Sequence, residues 1–320
     1  VSAGTVDVLT FGETMLSLQL PGPLEIGAAA RTTVAGAESN VAVALARLGH
    51  RAAWAGRVGA DEPGRLVLRT LRAEGVDVSA AATDAAAPTG AMLRERRVAD
   101  LARVHYWRAD SAAARTTPEH LAPALAEGAR ILHLTGITAA LGPGPLAAVR
   151  AAAHHAHTHG WTVTLDVNHR ARLWDTDEAA HALRPLLRYV DILIASDDEL
   201  PLVAGGPDDT EAARVEALLA AGPREVVVKR GAGGAEHHGP DAVSHAVPAL
   251  DVPVRDTVGA GDAFCAGYLS GLLDTLGPEA RLARATALGA FAVASAGDWE
   301  GLPHRDELAL LDAVPGSAIR

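Results

Sequence analysis

The run Asp256-Thr257-Val258-Gly259-Ala260-Gly261-Asp262-Ala263-Phe264 stands between a β-like segment and an apolar helical pattern. Gly259 and Gly261 allow the backbone to turn sharply and aim several N–H groups at one point. Those groups would stand at a helix N-terminus, where an anion is favoured. Asp262 falls in the same first turn, within reach of a hydroxyl beside that anion. Phosphoryl transfer needs this pairing of stabilised phosphoryl oxygens with an oriented alcohol. The same residues equally fit a capped turn in which Asp262 only meets the helix dipole. A glycine-rich turn alone does not separate the two.

Other residues have chemistry of their own. Val226-Val227-Val228-Lys229 runs into Arg230-Gly231-Ala232-Gly233-Gly234, a buried strand followed by a glycine turn. Ser196-Asp197-Asp198-Glu199 follows an apolar strand and, taken alone, reads as a solvated helix start. Arg108, in Tyr106-Trp107-Arg108, and Arg170, in Asn168-His169-Arg170, both leave predicted strands. If they converge, two guanidinium groups would hold a planar carboxylate, which a neutral sugar does not need. Taken singly, each is equally an ion pair at a sheet edge. His154, His155, His157 and His159 read as a solvated helix end. His237-His238 reads as a hairpin turn and Cys265 as a buried core thiol.

The elements that must position these residues follow from periodicity. Strands are expected at 6–12, 52–58, 130–135, 161–167, 190–195 and 224–229, with a shorter β segment over 243–254. Helices are expected at 39–48, 63–74, 144–159, 178–189, 210–221, 261–276 and 279–296. This alternation predicts an α/β fold, a doubly wound and mostly parallel sheet with helices on both faces. Segments 13–35 and 88–108 alternate weakly and lack helix. They are expected to pair as a small β-sheet lid over the carboxyl edge of the main sheet, where such folds bind ligands. The 320 residues read as one domain.

Composition excludes several functions. The formal net charge is −11, and no basic run exceeds Arg94-Glu95-Arg96-Arg97, which excludes a nucleic-acid partner. Lys229 is the only lysine, so no Gly-Lys-Ser/Thr phosphate loop exists. One cysteine excludes an intrachain disulfide and a cysteine zinc cluster. No Gly-x-Gly-x-x-Gly opens the first helix, which argues against a dinucleotide-dependent oxidoreductase. The uncharged stretch from Ile131 is broken by Gly142-Pro143-Gly144-Pro145, and the first basic residue is Arg31. No membrane span and no secretory leader is read, so a cytoplasmic protein is expected.

Asp256 to Phe264 resembles the C-terminal signature of the ribokinase-like (PfkB) sugar kinases. Gly36-Ala37-Glu38-Ser39-Asn40 and Val58-Gly59-Ala60-Asp61 are similar to further elements of that family, so the resemblance spans nearly the whole chain. It implies an ATP-dependent carbohydrate kinase. Asp262 would be the general base, and Gly259, Ala260 and Gly261 the anion hole. Gly36, Asn40, Tyr106, Arg108, Arg170 and Asp298 would meet the sugar. Lys229, Gly231, Gly234, Ala287 and Ala290 would meet ATP, and Glu199 would organise Mg²⁺. A monovalent cation is a further cofactor that the resemblance leaves open. Within the family the arginine motifs are similar to those of 2-keto-3-deoxygluconate kinases, although Met92 and Trp107 stand where those enzymes carry tyrosines. The alternatives are fructose, another ketose or sugar acid, a nucleoside, or a non-catalytic sugar sensor. An exposed lid sheet would favour a homodimer, because its edges need cover.

Overall fold

The computed structural model describes residues 6–97, 102–205, 210–240 and 243–312. A central sheet runs in the order Ser244–Val247, Ala235–His238, Glu225–Lys229, Ile192–Ser196, Thr162–Asp166, Ala129–Thr135, Val6–Thr10, Ala52–Trp54. The last six strands pair in parallel, and the first two join antiparallel. The parallel strands read as apolar runs because both of their faces are buried. Val226 and Val228 pack into one core with helices such as Pro143–Thr158 and Glu211–Ala221. Val227 between them packs into the other, with Ala37–Arg47, Ala260–Leu273 and Pro278–Val293. The order reverses at Val6–Thr10, flanked by Ala52–Trp54 and Ala129–Thr135. The crevice at its carboxyl end is the place where such sheets bind ligands.

The expected small sheet is present, in the order Arg31–Ala35, Met15–Leu20, Ala91–Arg96, Ala102–Trp107. Its central pair is parallel and its outer pairs are antiparallel. Pro21-Gly22-Pro23 ends the second of these strands at Leu20. Met15, Ala35 and Met92 form a separate apolar cluster with Val104 on this sheet.

Four expectations need correction. The strand read over 52–58 divides at Ala55-Gly56. Ala52–Trp54 joins the main sheet, and Arg57–Gly59 pairs with Ala82–Asp84. The helix read over 178–189 is α-helical only for Thr176–Leu183 and tightens to a 3₁₀ turn at Arg184–Tyr189. Pro185, lacking an N–H, cannot continue the α ladder. His237-His238 is not a turn. It ends the strand Ala235–His238, whose inward positions, Ala235 and His237, lack the branched apolar side chains that signal a strand. The last β segment is Ser244–Val247 alone. Cys265 is buried, as read, and His155 stacks on His159 at an exposed helix end. Among the described residues no helix is long and apolar enough to cross a membrane.

Candidate active site

Asp262 lies in the first turn of the helix Ala260–Leu273. Gly259 caps that helix with φ +75°, and a Cβ there would fall 2.0 Å from the carbonyl oxygen of Asp298. Only glycine fits both demands. The N–H groups of the first helical turn have no carbonyl partner within their helix, and that of Ala260 reaches the Thr257 carbonyl oxygen only at 3.4 Å, so this end of the helix favours an anion. Asp262 is buried, and its Oδ2 accepts from Asn40 Nδ2 at 2.8 Å. Asn168 Nδ2 donates to Oδ1 at 3.4 Å. Burial pushes the Asp262 carboxyl up to about 6, against the opposing Asn40 hydrogen bond, with Asp166 adding to the rise and Arg170 and Lys229 reducing it. Such a group is ionised at neutral pH, yet is a better proton acceptor than an ordinary aspartate.

Asn40 is held by its own helix start. Gly36 permits a close crossing, since a Cβ there would lie 2.2 Å from the Glu13 carbonyl oxygen. Glu38, two residues on, is fully buried and accepts from Thr135 Oγ1 at 2.5 Å and from Thr138 Oγ1. Burial raises its carboxyl to about 7. This anchors the helix carrying Asn40 to the end of Ala129–Thr135. The sequence signal for Glu38 was an acid inside an otherwise apolar helix.

A cavity of about 140 Å³ opens beside Asp262, and all six residues read as substrate-side line it: Gly36, Asn40, Tyr106, Arg108, Arg170 and Asp298. Asp298 is buried, its Oδ2 has no hydrogen-bond partner among the described residues, and burial raises its carboxyl to about 7 with help from Glu300 and Asp262. The three arginines of the wall differ. Arg94, unforeseen in sequence, donates from both terminal nitrogens to the two oxygens of Asp256 at 2.5 Å each. Arg108 ion-pairs with Glu13 at 2.5 Å and lies over the Tyr106 ring, 5.3 Å from its centroid. Arg170 is exposed and donates to the His169 carbonyl at 3.2 Å, with no carboxylate among the described residues in ion-pair reach. Met92 also lines the cavity, while Trp107 is 58 % exposed and is not among the lining residues.

A second cavity, about 550 Å³, lies on the other side of the Gly259–Gly261 turn and is lined by Lys229, Gly231, Gly234, Gly261 and Ala290 among others. Thr286, Gly289, Ala290 and Val293 present one face of their helix to it. Ala287 is not among them. One residue beyond Thr286, it is rotated by about 100° from that face, so its reading as a nucleotide contact is withdrawn. Lys229 Nζ pairs with Asp166 Oδ1 at 2.6 Å and would lie 3.7 Å from a Cβ on Gly261. Burial opposes its charge, but Asp166 holds the ammonium above the ordinary lysine range.

Small residues, a glycine turn, a helix N-terminus and a buried ammonium fit a nucleotide with its phosphates at Gly261. Glu199 stands nearby, but both of its oxygens are engaged. Oε1 accepts from His169 N at 2.6 Å and Oε2 from Ser196 N at 2.8 Å. It therefore ties together the loops after Thr162–Asp166 and Ile192–Ser196, so its action on Mg²⁺ would pass through water. A Mg²⁺ carried in on phosphate oxygens keeps most of its waters and needs no dedicated cage.

Known proteins share this fold and much of this sequence. The profile of the pfkB family carbohydrate kinases matches residues 6–305. A 2-dehydro-3-deoxygluconokinase of Thermoproteus tenax is 35 % identical over 97 % of this chain and 95 % of its own. A fructokinase of Klebsiella pneumoniae is also 35 % identical, over 95 % of each chain. The crystal structure of 2-dehydro-3-deoxygluconokinase from Thermotoga maritima superposes with a TM-score of 0.85 at 27 % identity, covering 96 % of this chain and 98 % of that one. With its ribokinase-like sheet and small-sheet lid, and with the signature turn seated between the two cavities, the chain belongs to the pfkB family and is an ATP-dependent carbohydrate kinase.

Proposed function

We propose that this kinase transfers the γ-phosphoryl group of ATP to the terminal hydroxyl of 2-keto-3-deoxygluconate, giving 2-keto-3-deoxy-6-phosphogluconate. The observation that carries this reading is the presence of Arg108 and Arg170 on the wall of the cavity that holds Asp262. A sugar acid places its carboxylate against the arginines and its far hydroxyl beside Asp262. Asn40 and Asp298 take intermediate hydroxyls. Asp262 accepts the proton of the attacking hydroxyl, while Lys229 and the N–H groups of Gly259–Gly261 balance the phosphate charge. Glu199 would hold, through water, a Mg²⁺ bound with the nucleotide, which would offset charge on its phosphates. The name of the Thermoproteus relative supports the same substrate class.

One observation favours a second reading. Two of the three arginines are already matched by Glu13 and Asp256, which leaves less positive charge for an acid and would suit a ketose such as fructose. Product analysis with ATP, Mg²⁺ and either sugar decides between them. The expected result is a kcat/KM for the acid at least about tenfold above that for fructose, on the scale of one charged hydrogen bond; an equal or reversed ratio rejects the acid reading. No ADP release with any sugar would leave a sugar sensor. The same assay in potassium and in tetramethylammonium buffer tests the monovalent cation. In this reading two chains also pair through the small sheet, whose outer strand leaves Tyr106 and Trp107 exposed. A monomeric mass at micromolar concentration would exclude that dimer.

A further inference from the structure

Glu13 follows the first strand, carries no signature, and is 2 % exposed. A carboxylate so deeply buried costs several kcal/mol unless it is paired. Its partners come from distant parts of the chain. Ser111 Oγ donates to Oε1 at 2.8 Å, and Arg108 meets Oε2 at 2.5 Å, off the axis of its N–H bond. Gly90 makes the room, since a Cβ there would stand 2.4 Å from Oε1. Three elements therefore converge on one carboxylate: the loop after Val6–Thr10, the start of Ala91–Arg96, and the turn after Ala102–Trp107. Both Glu13 and Arg108 line the sugar cavity. A long arginine side chain free in that cavity would sample many rotamers, and holding it for a ligand would cost binding energy. Fixed at one end by Glu13, the guanidinium is already in place.

We propose that Glu13 is the positioning residue for acid-sugar preference, holding Arg108 so that its remaining N–H edge faces the substrate carboxylate. This rests on the acid-sugar reading of the same cavity.

The test uses the full chain with 2-keto-3-deoxygluconate and with fructose, the latter followed as substrate or as competitive inhibitor. Glu13→Gln keeps the shape and loses the charge, and Glu13→Ala removes both. Each is expected to weaken the preference for the acid over fructose by about 10- to 100-fold, the range of a hydrogen bond to a charged group. The loss should fall on the KM for the acid rather than on kcat or the KM for ATP. Ser111→Ala, a milder change, should move the preference the same way by about threefold. Adding Glu13→Ala to Arg108→Ala should shift the preference no further. An unchanged or increased preference for the acid in Glu13→Gln overturns the proposal, as does an equal loss on both sugars. If the unmodified protein does not phosphorylate the acid, the substrate reading fails and the proposal with it. Acid turnover with a preference indifferent to Glu13 sinks the proposal alone.

Discussion

The two cavities that meet at the Gly259–Gly261 turn are built on opposite principles. The sugar side is crowded with charge. Glu13, Asp262 and Asp298 are buried there beside Arg94, Arg108 and Arg170. Its ionic groups are fixed by partners up to 222 residues away in sequence. The nucleotide side offers one ammonium, glycine turns and a row of small side chains on Pro278–Val293. Fixed polar groups discriminate strongly, because a ligand that fails to match them leaves buried charge unpaired. Apolar walls and backbone donors hold a common nucleotide with little discrimination. Selectivity is therefore expected to reside on the side where the charges are.

The largest test of that contrast is Asp262→Asn. Turnover should fall by about 10³-fold or more, on the scale of losing a general base, while both KM values stay measurable. Stability should move the other way. The carboxyl is raised from 3.8 to about 6, so the folded chain disfavours its ionised form. The penalty is absent below about pH 4, grows through about pH 6 and is complete above it, on the order of 2–3 kcal/mol. The variant should thus melt at a higher temperature than the unmodified chain at pH 8 and at the same temperature near pH 4. A lower Tm at pH 8 would show that the carboxylate supports the fold rather than burdens it. In the unmodified enzyme kcat/KM should drop as pH falls through about 6, where the base is protonated.

Arg170→Ala comes next in size. The KM for the sugar acid should rise about 10- to 100-fold with the KM for ATP within about twofold. Parallel rises in both would erase the distinction between the cavities. The smallest expected effect lies on the nucleotide side. Gly289 has open space beyond its backbone, with only the Ala260 carbonyl oxygen 4.0 Å from a Cβ. Gly289→Leu should fill that cavity and raise the KM for ATP about tenfold, leaving the sugar KM in place. Ala287→Ser, on the adjoining face, should change neither by more than about twofold. Equal effects from the two would contradict the face assigned to this helix.

How much of this was readable in the chain depended on range. The parallel strands were legible because burial on both faces demands runs such as Val226-Val227-Val228. That Gly36, Asn40, Tyr106, Arg108, Arg170 and Asp298 would line one cavity was legible because each sits in a local motif of the chain. Glu13, Arg94 and Glu38 were not, since their meaning lies in partners across the chain: Arg108, Asp256, and Thr135 with Thr138. Asn168 stands in the motif Asn168-His169-Arg170, but nothing local reveals its left-handed backbone, φ +40°, or its contact with Asp262. Ala287 failed for a geometric reason, because neighbouring small residues on a helix look alike in sequence and face different ways in space.

The bidentate contact of Arg94 with Asp256 rivets the small sheet to the first residue of the signature turn. Asp256 also accepts from the backbone N–H of Val258 and of Gly297, so the shape of the phosphate pocket hangs on the same carboxylate. If the sheet swings away to release a product, that rivet has to part, and the turn loses a counter-charge at the same moment. Movement of the small sheet and the geometry of the signature turn would then be coupled through this one carboxylate.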